Sequence, residues 1–181
     1  PFHLYLTEDN IENISDLKGL RVRSQPLFSP FFNDLSLSQS MIPIGEVYTA
    51  LERKVIQGYG FAAWGLSEMG WDKLTKVRID PGVYTVFVNV LMNQKKLQQL
   101  TPEQKKILTD AVVAFEEDLI QYTIDTSKRN LEEQNAAGIK SVDFGEEFAN
   151  RARELYWEEL ESLSPDEIPK LRALLDRALL D

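Results

Sequence analysis

From Pro102 to Ala137 the chain runs without a further proline or any glycine, and that uninterrupted stretch constrains the fold more than any other feature. Thr101-Pro102-Glu103-Gln104 supplies a capping hydroxyl, a proline at the first helical position and a glutamine three residues after the cap. This is the pattern of a helix start. Leu108, Ala111, Val112, Phe115, Leu119 and Tyr122 follow at spacings of three and four, which puts them on one stripe. Gly138 is a suitable stop. The spacing predicts one helix from about Thr101 to Ala137, on the order of 50 Å long at about 1.5 Å per residue. Such a helix outreaches a small domain, so it must lie across two lobes or extend beyond one.

The remainder reads as α/β. After an extended opening, "NISDLKGLRVR" is a turn at Gly19 leading into a strand. "SQPLFSPFFNDLSLSQSMIPI" is a short helix between loops, followed by a short strand. "GEVYTALERK" is a compact amphipathic helix with Val47, Ala50 and Leu51 on one face. "VIQGYGFAAWG" reads as a buried strand with glycines that opens into a loop. Val83 to Asn93, "VYTVFVNVLMN", is β-branched and aromatic on both parities, as expected of a strand buried on both faces under helices. "GIKSVDF" is a short strand, and two further helices finish the chain; Ser164-Pro165-Asp166-Glu167 repeats the start signature. With 181 residues, the chain suffices for one globular unit of ordinary size, or one and a piece.

Charge and composition narrow the function classes. A net charge of −9 lacks the basic footprint that nucleic acid requires and disfavours docking on an anionic membrane. With no cysteine and His3 as the one histidine, thiol chemistry, zinc ribbons and histidine-based triads have almost no material. No apolar run approaches the roughly 18 residues that span a bilayer. The chain opens on Pro1 with "PFHLYLTED", neither a signal peptide nor a helix start, so it is expected to begin partway through something larger. Glu116-Glu117-Asp118, Glu132-Glu133 and Glu158-Glu159 lie on helical segments. Adjacent helical residues point about 100° apart, so these read as solvated faces rather than shared-proton pairs. Neither a phosphate loop nor a nucleophile elbow occurs. Enzyme activity, catalytic residues, metal ligands and cofactors are therefore not expected.

Two sets of residues remain. Alternation in Leu20-Arg21-Val22-Arg23 sends both guanidinium groups to one face of a strand. They serve either as charges that keep an edge strand from pairing or as anion-binding forks. Tyr59 and Phe61 share a strand face, with Trp64 just beyond its end and Trp71 further on, as ordinary core or as pocket walls.

The order of these pieces resembles the solute-binding proteins of TRAP transporters. "DLKGLRVR", Asp16 to Arg23, is similar to that family's D-L-K-G-[LM]-[KR]-[ILV]-R segment at all eight positions. "PIGEVYTALERKVIQG" resembles P-x-x-E-V-Y-x-A-L-Q-x-G-V-V-D-G and keeps Pro43, Glu46, Val47, Tyr48, Ala50, Leu51 and Gly58. "MNQKKLQQLTPEQKKIL" is a weaker echo of V-N-K-x-x-[WL]-x-x-L-x-P-E-x-Q. The likeness covers Asp16 to the middle of the long helix; beyond that it is one of pattern.

The resemblance implies an α/β fold of periplasmic binding protein type II kind, two lobes bridged by a very long helix and followed by C-terminal helices. The first lobe is largely missing from this chain. On that reading, residues 1–19 are a crossover from the missing lobe, 20–100 the second α/β lobe, and 101–181 the bridging helix, a short strand and the C-terminal helices. The family's signature arginine, which pairs with a ligand carboxylate, falls on Arg23, and Arg21 sits where lysine is common. An aromatic contact of the sialic-acid members falls on Ile44 and their asparagine contact on Phe61. Gln57 replaces the usual aspartate and Lys54 the usual glycine. These departures imply a smaller or more apolar carboxylate than sialic acid, bound by Arg23 with Ile44, Tyr59, Phe61 and Trp64 around it. The implied setting is the periplasm, with membrane subunits of a TRAP transporter as partners and no direct membrane insertion. The alternative is a ligand-sensing or interaction module on the same fold, uncoupled from transport.

Overall fold

The computed structural model of the chain describes residues 1–86 and 89–178. Among them, six strands form one sheet: β1 (Phe2–Leu6), β2 (Arg21–Arg23), β3 (Ser38–Ser40), β4 (Gly58–Ala62), β5 (Val77–Tyr84) and β6 (Lys140–Asp143), in the order β3-β2-β4-β1-β5-β6. β1 runs antiparallel to both neighbours, β4 and β5. The pairs β2–β3, β2–β4 and β5–β6 are parallel. The helices are α1 (Ser29–Asp34), α2 (Val47–Glu52), α3 (Gln94–Gln99), α4 (Pro102–Ala136), α5 (Glu146–Leu163) and α6 (Ile168–Ala178).

Period-two alternation sorts the sheet into two faces. On one face Leu4, Leu6, Val22, Val77 and Ile79 pack with Phe28, Phe31 and Phe32 and with Phe148 and Ala152 of α5. Phe31 meets the ring of Phe148 edge-on at 4.9 Å. On the other face Tyr5 and Tyr59 pack with Val47 and Leu51 of α2 and with Trp71. The glycines of "GYG" fit this arrangement. A Cβ on Gly60 would lie 2.7 Å from the Phe28 ring, and one on Gly58 would lie 2.5 Å from the Tyr5 carbonyl oxygen. Only glycine lets β4 and its neighbours approach so closely.

The opening residues, expected to cross over ahead of the lobe, supply the strand β1 inside the sheet. Residues 140–163 add β6 and α5 to the same sheet and core. α4 is one continuous helix of 35 residues, capped as expected: the Gln104 amide donates to Thr101 Oγ1 at 3.2 Å, and the Thr101 amide donates to Gln104 Oε1 at 2.9 Å.

One of these expectations needs correction. The strand expected over Val83 to Asn93 is β5 instead, six residues earlier, and ends at Tyr84. Its 87–88 portion lies outside the described residues. Val90 beyond it is 92% exposed. At its far end β5 pairs with β1 through Phe2 and Tyr84, antiparallel, beyond a shift of register between Phe2 and Leu4. The apolar stripe along α4 is uncovered over its first half, with Phe115 57% exposed. The buried residues of α4 are polar: Thr126, Asn130 and Gln134.

Candidate functional site

Arg23 ends β2 and pairs in register with Ser40 on one side and Tyr59 on the other. Flanking strands on both sides bury it to 4% exposure. Its Nε donates to the Ile42 carbonyl at 3.1 Å. With the Gln25 amide turned so that its oxygen faces the guanidinium, Oε1 accepts from Nη2 at 2.8 Å and from Nη1 at 3.1 Å. Among the described residues no carboxylate lies within ion-pair distance of it. Burial alone lowers its pKa, as desolvation does to any cation.

Arg78 provides the internal comparison. It is equally buried, at 6% exposure, but Asp80 takes it as a fork: Nε donates to Oδ1 at 3.0 Å and Nη2 to Oδ2 at 2.8 Å. Its Nη1 donates to Gln134 Oε1 at 3.0 Å. Burial pushes the Asp80 carboxyl up, but hydrogen bonds from His3, Arg78 and Ser141, with the charge of Arg78, outweigh it and hold the carboxyl far below the carboxylate range. His3 Nδ1 stands 2.9 Å from Asp80 Oδ1. This network joins β1, β5, β6 and α4. An arginine and an aspartate two apart on one strand were the signal for it, since alternation puts them on one face.

Arg21 is structural. Its Nη2 donates to the Lys54 carbonyl at 2.9 Å and its amide to Gln57 Oε1 at 3.2 Å, so it closes the end of α2. The two arginines share a face, yet burial separates them: Arg21 is exposed and Arg23 is not.

The other expected site residues scatter. Ile44 opens the 3-10 turn Ile44–Glu46, two residues past the carbonyl that Arg23 holds, and is 45% exposed. Phe61 shares the face of Arg23 and Tyr59, half-buried with its ring edge-on to Trp71 at 4.8 Å. Tyr59 is core rather than pocket wall. It stacks on Tyr5 at 5.3 Å, and its hydroxyl lies 2.6 Å from Thr75 Oγ1. Packing on both sides and a satisfied hydroxyl leave nothing of it to offer a solute. Trp64 turns to α4: Nε1 donates to Ser127 Oγ at 2.9 Å, and the ring meets Tyr122 edge-on at 6.3 Å. The contacts of the Arg23 guanidinium are Ile42 and Gln25, not Trp64. Sequence reasoning passed over both. For Gln25 the signal was its place two after Arg23 and just before Pro26, which holds it extended. No group of three metal-ligating side chains occurs among the described residues.

The described residues thus form one sheet packed on both faces, with a 35-residue helix attached near its C-terminal end and a buried guanidinium that no described carboxylate meets. The chain belongs to the bacterial extracellular solute-binding proteins of family 7, which it matches over residues 3–163. It is 25% identical over 148 residues to a monocarboxylate 2-oxoacid-binding periplasmic protein of Nostoc sp. (strain PCC 7120), covering 80% of this chain and 41% of that one. A TRAP periplasmic solute-binding protein of Rhodoferax ferrireducens, solved with bound malonate, shares the fold at a TM-score of 0.80 and 14% identity, over 99% of this chain and 59% of that one. One from Desulfovibrio salexigens, solved with bound orotic acid, does so at 0.77 and 19% identity, over 97% and 58%. The chain thus spans less than two thirds of each relative. Family and neighbours are solute-binding proteins, not enzymes.

Proposed function

We propose that this chain is the anion-holding lobe of a periplasmic solute-binding protein that captures a small carboxylate for a TRAP transporter. The observation that carries this reading is the contrast between the two buried arginines. Arg78 has its carboxylate, and among the described residues Arg23 has only neutral oxygens. A buried charge costs several kcal/mol unless an opposite charge meets it, so Arg23 is a standing demand for an anion. A guanidinium meets a carboxylate through two parallel hydrogen bonds, which a lone carbonyl oxygen cannot offer. Ile44 and Phe61, near that fork and apolar, suit a small acid. Trp64 would join through α4 when the bridging helix and the lobes close on the ligand. The relatives' solutes, a 2-oxo monocarboxylate and malonate, are acids of that kind. Binding is reversible capture without chemistry, and release goes to the membrane subunits. No helix among the described residues is long and apolar enough to cross a membrane itself.

Calorimetry on the full-length protein with pyruvate and malonate tests this. Arg23→Lys keeps the charge but loses the fork, and one charge-assisted bond is worth about 1.5–3 kcal/mol, so affinity should fall about ten- to a hundredfold. Arg21→Lys should leave it nearly unchanged. Equal affinities for wild type and Arg23→Lys would overturn the reading.

A further inference from the structure

Gln25 stands on the Arg23 fork in a way that the proposed carboxylate site has not yet used. Its amide oxygen sits astride Nη1 and Nη2, at 3.1 and 2.8 Å, while Ile42 takes Nε. The Nη1–Nη2 edge of the guanidinium, one that can offer two parallel donors, is therefore already occupied. The occupant is poorly matched: a single neutral oxygen shared by two charged donors that could each have their own.

The backbone of Gln25 is held by its chain neighbours, whereas its side chain bonds to Arg23. Its carbonyl accepts from the Phe28 amide at 2.9 Å, from Ser24 Oγ at 3.2 Å and from Ser29 Oγ at 3.5 Å. Pro26 behind it keeps the residue extended, at φ −138° and ψ 162°. Gln25 precedes the 3-10 turn Pro26–Phe28, yet its side chain makes no capping hydrogen bond there. The residue is only half-buried, so the amide can swing into water by rotation about its own χ angles.

Resting on the carboxylate reading of Arg23, we propose that Gln25 is an internal stand-in for the ligand. It satisfies the buried fork when the site is empty and is displaced when a carboxylate arrives. Its two consequences follow from charge. The empty lobe escapes the full penalty of an unpartnered buried guanidinium, and every ligand must compete with a tethered amide. The stand-in therefore weakens capture and favours release, which suits a protein that must hand its solute on.

The test uses the full-length protein, with pyruvate and malonate as probes, and two variants. Gln25→Ala removes the competitor, so affinity for the probes should rise about three- to tenfold. Gln25→Glu installs a charged competitor, so affinity should fall more than tenfold. A fall or no change in Gln25→Ala would overturn the proposal, the former making Gln25 a ligand contact. A second readout needs no ligand: NMR titration of the introduced carboxyl in Gln25→Glu should find its pKa well below the ordinary value of about 4.3. An ordinary value would overturn the stand-in whatever the probes do. A lowered value with neither probe binding to wild type or Gln25→Ala would instead overturn the carboxylate reading, and displacement by ligand with it, leaving Gln25 the permanent partner of a structural arginine.

Discussion

Arg78 and Arg23 lie on the same face of one sheet with nearly the same exposure, and a single neighbour separates their roles. Asp80 neutralises Arg78 and is itself fastened by His3 and Ser141. Asp80→Asn would leave a buried guanidinium without its countercharge, at a cost of about 3 kcal/mol in denaturant unfolding at neutral pH. The pH dependence has a definite sign. The folded pKa of Asp80 is depressed below its ordinary 3.8, so its contribution is complete above that value and is lost as pH falls toward the folded pKa. The stability gap between wild type and Asp80→Asn should therefore narrow from pH 6 to pH 3. A gap that widened on acidification would mean that Asp80 is not held as the ion.

At the scale of elements, short strands and short helices are joined by backbone positions that tolerate little change. Lys54 follows α2 at a φ of +56°, a left-handed conformation in which a side chain is strained. Glycine stands there in the pattern that this stretch resembles. Lys54→Gly should raise stability by about 1 kcal/mol, seen as a higher midpoint in thermal unfolding, because relief of strain outweighs the entropy that glycine adds to the unfolded chain. Gly60→Ala should act the other way. Its methyl group would enter the ring of Phe28, itself stacked on Phe32 at 5.0 Å, and overpacking of that kind costs about 1–3 kcal/mol. Thermal unfolding of the two variants would give opposite shifts. α4 is attached differently: Gln134 Nε2 donates to the Ala63 carbonyl at 2.8 Å, and Asn130 Oδ1 accepts from the Gly65 amide at 3.2 Å. Directional bonds near its C-terminal end hold a helix whose other end projects.

Across the whole molecule, that projection leaves apolar surface bare. Ile107, Val113, Phe115, Ile120 and Ile124 are all exposed on α4, and Val90 and Leu91 beside them in sequence terms lie beyond β5. Leu108, Val112, Phe115, Leu119 and Tyr122, at spacings of three and four, add one continuous exposed stripe to these, and apolar surface of that kind marks an interaction face. The 181-residue chain alone should bind a hydrophobic dye and self-associate in light scattering, and the double variant Phe115→Glu, Ile120→Lys should suppress both without lowering the unfolding midpoint. Persistent dye binding in that variant would place the sticky surface elsewhere.

Local chemistry was enough for several of these features. The cap, the periodicity and the stop of α4 are written within neighbouring residues, so the helix was legible from Thr101 to Ala137 before any fold was known. The "DLKGLRVR" stretch likewise located Arg23, because strand alternation and a motif of eight matching positions are both local signals. The sheet was not legible in the same way. A stretch such as Val83 to Asn93 has the composition for pairing, but composition does not fix which residues pair, and the paired strand is Val77–Tyr84. The surroundings of Tyr59 and Trp64 were not legible for a related reason. An aromatic side chain serves core and pocket equally well by composition, and only the partners that reach it decide, Tyr5 and Thr75 for one and Ser127 for the other. The two arginines show the division most plainly. Sequence determined that each would be charged and which face of its strand it would take, and it set an acid two residues from Arg78; the tertiary structure alone decided that both would be buried and that Arg23 would meet no acid among the described residues, because the energy of a buried charge depends on what folding brings within about 4 Å of it.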